Sequence, residues 1–212
     1  MLVLASGSPR RRELLERIGL TPVVRPADLD ESPLPGERAE ALVLRLALAK
    51  AASAAAANAT AASATAAVSA RAVAGSDEVV LAADTEVVLD GRALGKPADD
   101  AEAATMLTAL AGRTHEVMTG LAVQRGELVV TERVVTTVTF RPLRHREIAW
   151  YLATGEARGK AGAYALQGAG AVLVERIEGS DTNVIGLPLP ATVALLRQVG
   201  LDPFPVAAHE QR

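Results

Sequence analysis

The chain has 212 residues, half of them apolar, which is enough for one domain with a sizeable hydrophobic core. The chain has few aromatic residues, two Phe, two Tyr and one Trp, which argues against a nucleic-acid-binding protein that stacks bases on aromatic rings. Its formal net charge of −3 argues against bulk attraction to DNA or an anionic membrane. The absence of cysteine excludes disulfides and thiolate metal sites and fits a reducing compartment. We therefore expect a cytoplasmic protein with neither nucleic acid nor membrane as a partner.

The apolar periodicity and the turn residues alternate between strand-like and helix-like segments along the chain. In chain order they predict a strand at 2–6, helices at 9–18 and 37–50, a strand pair or one long bent strand at 78–94, a helix at 99–112, two long strands within 115–143, a helix at 145–155, a strand at 171–179 and a closing helix at 188–200. Asp90-Gly91 is a strong signal for a type I′ hairpin turn. Together the elements predict an α/β fold with a substantial antiparallel part.

Residues 51–74 consist almost entirely of Ala, Ser and Thr. Alanine favours helix, but these small side chains bury little surface. We interpret the tract as a surface insertion that extends the helix starting near Glu37, within a single domain of residues 1–212 that ends in a tail at 201–212. Asn58 and Arg71 interrupt the tract and argue against a membrane span.

The opening stretch, LASGSPRRREL, contains a local conflict. Ser8 and Pro9 are typical of the N-cap and first position of a helix, which places Arg10, Arg11 and Arg12 in its first turn. Cations there are unfavourable by roughly 0.3–1 kcal/mol each, because the amino end of a helix carries partial positive charge. The stretch is either an anion site, with free backbone N–H groups and arginines facing a phosphate, or a solvated charged turn.

Carboxylates occur in two places that suggest chemistry. Asp84 interrupts an apolar strand run, where an unpaired carboxylate is costly, and alternation places Glu86 on its face and Thr85 on the other. The loop ADLDES, residues 27–32, crowds acidic residues including Glu31. Such a loop suits a hard divalent cation, although a solvated acidic loop is the simpler interpretation.

Two lysines and three histidines complete the titratable candidates. Lys96 lies in the turn LGKP and Lys50 ends an apolar helix face, so each is compatible with a phosphate contact or with ordinary exposure. The histidines have no metal-ligand spacing and are predicted to be structural or surface residues: His115, His145 and His209.

Each of these signals is weak alone, but several multi-residue motifs occur together in a characteristic order. They are LASGSPRRRELL, ADTEVVLDGRALGKP, GRTHEVMTGLAV, GKAGAYALQGAGAVLVERIEGS and NVIGLPL. From about residue 2 to residue 200 the chain resembles the Maf family of septum-formation-inhibitor-like nucleotide pyrophosphatases. The resemblance implies an elongated mixed sheet with flanking helices and two lobes around a cleft, similar to inosine-triphosphate pyrophosphatases.

The resemblance also implies hydrolysis of a nucleoside triphosphate between the α and β phosphates, giving a monophosphate and pyrophosphate. It assigns catalytic roles to Asp84, Glu31, Lys50 and Lys96. Asp84 is the family's proposed base, and Glu31 and Asp84 would organise a divalent cation, Mg²⁺ or Mn²⁺, together with the attacking water. The two lysines would neutralise phosphate oxygens. Which of the two carboxylates is the base and which is the ligand stays open.

For the substrate, the resemblance implies contacts from Ser8, Arg11, Arg12, Thr85 and Gln167. We expect Arg11 and Arg12 to contact the substrate and Arg10 to be structural, with at least one of the three arginines outside the cleft. The pyrimidine type, which acts on dTTP and UTP, resembles this chain in SPRR, ADT and the Gln before glycine, and we match Arg11, Thr85 and Gln167 to it. The type that acts on 7-methyl-GTP tends to show SPWR, SDQ and Glu.

Two other functions stay open at this stage. Asp181 stands where the pyrimidine type usually has Tyr, which keeps 7-methyl-GTP or another modified purine as an alternative substrate. A non-catalytic nucleotide-binding regulator of cell division is a third hypothesis, against which the intact carboxylates and lysines argue. The sequence leaves the oligomeric state open, with a homodimer as one alternative.

Overall fold

The computed structural model describes residues 1–65 and 78–204. Seven strands in these ranges are β1 Leu2–Leu4, β2 Val23–Val24, β3 Val79–Leu89, β4 Arg92–Ala93, β5 Thr114–Arg125, β6 Leu128–Phe140 and β7 Val174–Glu178. Six α-helices in the same ranges are α1 Pro9–Arg17, α2 Ala39–Thr65, α3 Asp100–Leu110, α4 His145–Ala153, α5 Asp181–Ile185 and α6 Leu189–Gln198. None of the described helices is both long and apolar enough to cross a membrane.

The strands form one mixed sheet in the order β2-β1-β3-β5-β6-β7, with β4 added to the end of β3. The pairs of β1 with β2 and β3 are parallel, and the remaining pairs are antiparallel. The mixed α/β architecture predicted from the sequence is therefore confirmed. Asp90 and Gly91 have φ angles of 52° and 75°, as the predicted type I′ hairpin requires.

Helix α2 packs closely across β3 and β5 because small residues line the contact. Ala51 and Ala54 are buried against the sheet, so the predicted surface insertion cannot begin at residue 51. Small side chains let the helix backbone approach the strands, and the same closeness explains Gly120 on β5. A Cβ there would overlap the backbone carbonyl of Val43 in α2. The part of the tract at 66–74 and the tail from 205 lie outside the described residues.

The apolar core is divided along β3. Leu81 and Ala83 pack in a cluster with α1 and α6, whereas Val87 and Leu89 pack in another with α3 and α4. The polar residues 84–86 lie between these two parts of the strand. The cleft therefore opens where the apolar pattern of β3 is interrupted.

The structure adds elements that periodicity did not predict. They are the two-residue strand β2, the short helix α5, and two 3₁₀ helices, Ala161–Ala163 and Ala169–Leu173. All are too short to produce a recognisable period in the sequence. The predicted strand at 171–179 accordingly begins only at Val174.

Candidate active site

A cleft of about 620 Å³ lies against the middle of the sheet. One wall is the loop from β1 into α1, residues 5–11, and another is the segment 156–168 after α4. The floor is formed by β3 at Asp84 and Thr85 and by the end of α5 at 184–186. Segments that are distant in the sequence therefore meet in this cleft.

The four predicted catalytic residues form one continuous chain of ion pairs. Lys50 Nζ lies 2.7 Å from Asp84 Oδ1 and 2.6 Å from Glu31 Oε1, and Lys96 Nζ lies 2.7 Å from Glu31 Oε2. The side chains of Lys50 and Asp84 are each 8% exposed, whereas those of Glu31 and Lys96 are 38% and 57% exposed. The chain of charges thus runs from the buried floor of the cleft to its rim.

The two carboxylates in this chain differ in how they are satisfied. Burial by itself would raise the pKa of Glu31, but hydrogen bonds from Lys50 and Lys96 outweigh it and lower the pKa to about 2. Glu31 is therefore ionised throughout the physiological range. Asp84 uses one oxygen for Lys50, and its other oxygen, Oδ2, is buried without a hydrogen-bond partner in the described ranges. A buried carboxylate oxygen without a partner is costly, and a cation bound beside it would satisfy it.

Arg11 lies in the cleft, but its guanidinium is fixed by the protein. It donates to the carbonyl of Gly186 at 2.8 Å, to Ser6 Oγ at 3.0 Å and to Thr85 Oγ1 at 3.0 Å. Burial lowers the pKa of Arg11, which nevertheless stays charged because an arginine side chain keeps its proton in proteins. Arg11 joins the loop after β1 to β3 and to the end of α5, and it contributes positive charge to the floor of the cleft.

The structure places the other two arginines differently from the expectation, since Arg10 and not Arg12 lines the cleft. Arg12 lies outside the cleft, where it is exposed and pairs with Glu16 at 3.2 Å. Arg10 lines the cleft, and its guanidinium has no hydrogen-bond or ion-pair partner among the described residues. Helical geometry explains the difference, because residues two positions apart point to different sides of α1.

The subtype comparison also has to be corrected. Counted from Ser8, the position at which SPRR and SPWR differ is Arg10, not Arg11. Arg10, the residue at this position, is thus also the arginine whose guanidinium has no hydrogen-bond or ion-pair partner in the described ranges.

The remaining predicted substrate residues, Ser8, Thr85 and Gln167, all line the cleft. Ser8 caps α1 by position only, since its side chain makes no capping hydrogen bond. Thr85 Oγ1 is engaged with Arg11 and lies 2.9 Å from Thr119 Oγ1. Asp181, the residue that departs from the pyrimidine pattern, is exposed at the start of α5 and does not line the cleft.

Sequence reasoning missed two charged residues of the cleft, Glu156 and Lys160. Lys160 belongs to the quoted KAGAY stretch, but lysines in glycine-rich loops are usually exposed, and no pattern distinguished it. Burial, and then the nearby charge of Arg10, lower the pKa of Lys160. Lys160 and Arg10 therefore form a pair of like charges in the same part of the cleft.

Glu86 shares the face of Asp84 on β3, as alternation predicted, but it does not line the cleft. Burial, and then the charge of Asp84, raise the pKa of Glu86 to about 7. Of the acidic loop, only Glu31 reaches the cleft with its carboxylate, while Asp30 accepts a hydrogen bond from the backbone of Ser32. His115 is structural as predicted, being buried with Nε2 at 2.9 Å from Tyr164 Oη. Residue 209 lies outside the described ranges.

The carboxylates suit a divalent cation only if a ligand completes its coordination. The described residues contain no group of three or more His, Cys, Asp or Glu side chains that could hold a metal by themselves. Asp84 and Glu31, however, contact the same ammonium group, and Asp84 keeps a free buried oxygen. Mg²⁺ is commonly held by one or two carboxylates together with water and substrate phosphate oxygens. The donor set therefore fits a cation that binds together with a phosphate compound.

Comparison with known proteins agrees with this geometry. The family model described as Maf-like protein matches residues 1–199. A relative from Anaeromyxobacter sp. (strain Fw109-5), named dTTP/UTP pyrophosphatase, is 52% identical over 209 residues, which cover 96% of this chain and 91% of the relative. Relatives with the same name from Myxococcus xanthus and Cereibacter sphaeroides are 50% and 45% identical, with 97% and 98% of this chain covered and 95% and 99% of each relative. The chain therefore belongs to the Maf family.

Proposed function

We propose that this protein hydrolyses nucleoside triphosphates between the α and β phosphates, releasing pyrophosphate, and that it prefers dTTP and UTP. The observation that carries the proposal is the ion-pair chain of Asp84, Lys50, Glu31 and Lys96, which faces a cleft that also contains Arg10 and Lys160. The name dTTP/UTP pyrophosphatase, shared by relatives at 45–52% identity over nearly the whole chain, supports the same reaction and substrates.

The charges of the cleft suit a polyphosphate. A triphosphate carries about four negative charges and repels an attacking hydroxide, so catalysis requires cations around the phosphates. Arg10 and Lys160 lack carboxylate partners in the described structure, and Arg11 is charged but bonded only to neutral groups. These three residues give the cleft an excess of positive charge that a triphosphate would neutralise.

The carboxylates supply the acid–base part of the reaction. In our proposal Asp84 accepts the proton of the water that attacks the α-phosphorus, and pyrophosphate leaves as the new bond to oxygen forms. Asp84 is suited to this role because it lies on the rigid central strand with one oxygen held by Lys50 and the other free. Lys50 and Lys96 would contact phosphate oxygens once substrate is bound.

We include a divalent cation, Mg²⁺ or Mn²⁺, in the proposal. Asp84 and Glu31 would hold it together with phosphate oxygens. Bound there, it would stabilise the charge of the phosphates and lower the pKa of a coordinated water.

The preference for pyrimidines is part of the same proposal. Gln167, Thr85 and Arg10 all line the cleft. They match the pyrimidine type, with Arg10 taking the place first given to Arg11. Asp181, which raised the purine alternative, lies outside the cleft and so gives that alternative no structural support. Homodimer formation remains a prediction that sedimentation analysis would test. A cytoplasmic location remains an expectation based on the absence of cysteine from the sequence.

The deciding experiment is a hydrolysis panel of dTTP, UTP, CTP and 7-methyl-GTP, with and without Mg²⁺, run on the wild-type protein and on Asp84→Asn. We expect cation-dependent release of pyrophosphate, fastest with dTTP or UTP, and a loss of about 10²–10⁴-fold in kcat for the variant. Asp202→Asn, at an exposed position, is the matched control. An Asp84→Asn protein as fast as wild type would contradict the role of Asp84. Tight nucleotide binding without pyrophosphate release would instead favour a non-catalytic regulator.

A further inference from the structure

Glu156 lies on the wall of the cleft but directs its carboxylate at the protein backbone. Its two oxygens accept hydrogen bonds from the N–H groups of Ala169 at 2.9 Å and Gly170 at 3.3 Å. These groups belong to the start of the 3₁₀ helix Ala169–Leu173, where helical N–H donors lack partners within the helix. Glu156 therefore joins the segment that follows α4 to the loop that enters this 3₁₀ helix.

The loop passes directly beneath the carboxylate. A Cβ added at Gly168 would overlap both oxygens of Glu156, so only glycine permits this close approach. Gln167 precedes Gly168, and both residues line the cleft. The backbone next to Gln167 is thus held in place by the Glu156 carboxylate.

The same loop has a second anchor on its other side. Tyr151, which is fully buried in α4, accepts a hydrogen bond from the N–H of Ala165 at 3.0 Å. Glu156 is itself connected to that helix end, because its N–H donates to Thr154 Oγ1 at 3.2 Å and Thr154 Oγ1 donates to the carbonyl of Tyr151. Gln167 therefore lies between two hydrogen-bonded backbone positions, Ala165 on one side and Ala169–Gly170 on the other. Both are held by side chains in or just after α4.

We propose that Glu156 is a positioning residue that fixes Gln167 for recognition of the nucleotide base. The inference rests on the proposed function and names a part of the chain that sets its base selectivity. In the described residues Glu156 has no hydrogen bond or ion pair to Asp84, Lys50, Glu31 or Lys96. Loss of its carboxylate should therefore weaken substrate binding and selectivity without slowing the chemical step.

The test compares Glu156→Ala and Glu156→Gln with the wild-type protein for dTTP and for a purine triphosphate. Two hydrogen bonds to a charged group are lost in the alanine variant, so we expect KM for dTTP to rise about 10-fold or more and kcat to change less than about 3-fold. The ratio of kcat/KM for dTTP to kcat/KM for the purine triphosphate should fall in the same variant. Glutamine keeps one acceptor oxygen and should restore part of the loss. Glu132→Ala, at an exposed position of β6, is the control.

Gly168→Ala tests the same contact from the opposite side. Its methyl group should displace the flexible Glu156 carboxylate and reproduce the KM phenotype while Glu156 itself is retained. Amide hydrogen exchange gives a readout that is independent of activity. Amide exchange should accelerate at Ala169 and Gly170 in Glu156→Ala and in Gly168→Ala. The Ala165 amide should stay protected in both, because Tyr151 still accepts its hydrogen bond.

The outcomes separate this inference from the proposed function. Faster exchange at Ala169 and Gly170, with a raised KM and an almost unchanged kcat, would support it. A lower kcat at constant KM, or wild-type kinetics in a variant whose loop exchanges faster, would overturn it. If the wild-type protein hydrolyses no triphosphate, the proposed function fails, and unchanged exchange in Glu156→Ala would be needed to reject the anchoring as well.

Discussion

Lys50 is the centre of the ion-pair chain, and replacing it with methionine should destabilise the fold strongly. Its ammonium contacts Asp84 at 2.7 Å and Glu31 at 2.6 Å. Methionine preserves most of the side-chain volume but provides no charge. In the variant Glu31 keeps Lys96 and is partly exposed, whereas Asp84 loses the one hydrogen-bond partner that the described structure gives it. The penalty should therefore come mainly from Asp84.

The size of the effect follows from burial. The Asp84 side chain is 8% exposed, so water can replace Lys50 only to a small extent. Leaving one partner of a buried ion pair uncompensated typically costs about 3–5 kcal/mol. A native domain is stable by about 5–15 kcal/mol in total, so Lys50→Met should lose a large fraction of its stability at neutral pH.

Urea unfolding of wild type, Lys50→Met and the double variant Lys50→Met/Asp84→Asn at pH 7 checks these expectations. Asparagine carries no charge, so the double variant should recover most of the lost stability. Equal stability of Lys50→Met and wild type at pH 7 would refute the reasoning. So would a double variant that is as unstable as the single one, because the loss would then arise from packing.

Three further predictions concern other parts of the molecule. Arg10→Ala should raise KM for the triphosphate in steady-state kinetics, whereas Arg12→Ala should behave as wild type because Arg12 lies outside the cleft; equal effects would contradict the assignment. Burial lowers the pKa of His115 to about 4 from an ordinary 6.5, so stability should decline by about 3 kcal/mol as the pH falls from about 6.5 to about 4, and His115→Gln should remove that slope from the urea-unfolding curves. Gly120→Ala should cost at least 1–3 kcal/mol in thermal or urea unfolding, since its methyl group would overlap the Val43 carbonyl; unchanged stability would show that α2 can move away freely.

The main helices and strands, and the chemical types of side chain in the cleft, could be predicted from the amino-acid sequence. Long segments with a clear period, such as β3, β5 and α6, were predicted almost to their ends, because their apolar residues must face a core. The carboxylate in an apolar strand marked Asp84 for the physical reason that its burial requires a partner. The family motifs added Glu31, Lys50 and Lys96 as candidates.

The pairing of these residues, and the choice of side chains that face the cleft, depend on how the elements pack in the folded chain. Consecutive arginines look equivalent in a sequence, but the helix turns Arg10 inward and Arg12 outward, while Arg11 is engaged by groups 74 and 175 residues away. Ala51 and Ala54 belong to the core because β3 and β5 lie beside them, which composition alone could not reveal. Glu156 was missed because its partners are backbone N–H groups of a distant loop. Periodicity reports which face of an element is buried, whereas the pairing of charges depends on distances between elements that only the folded chain sets.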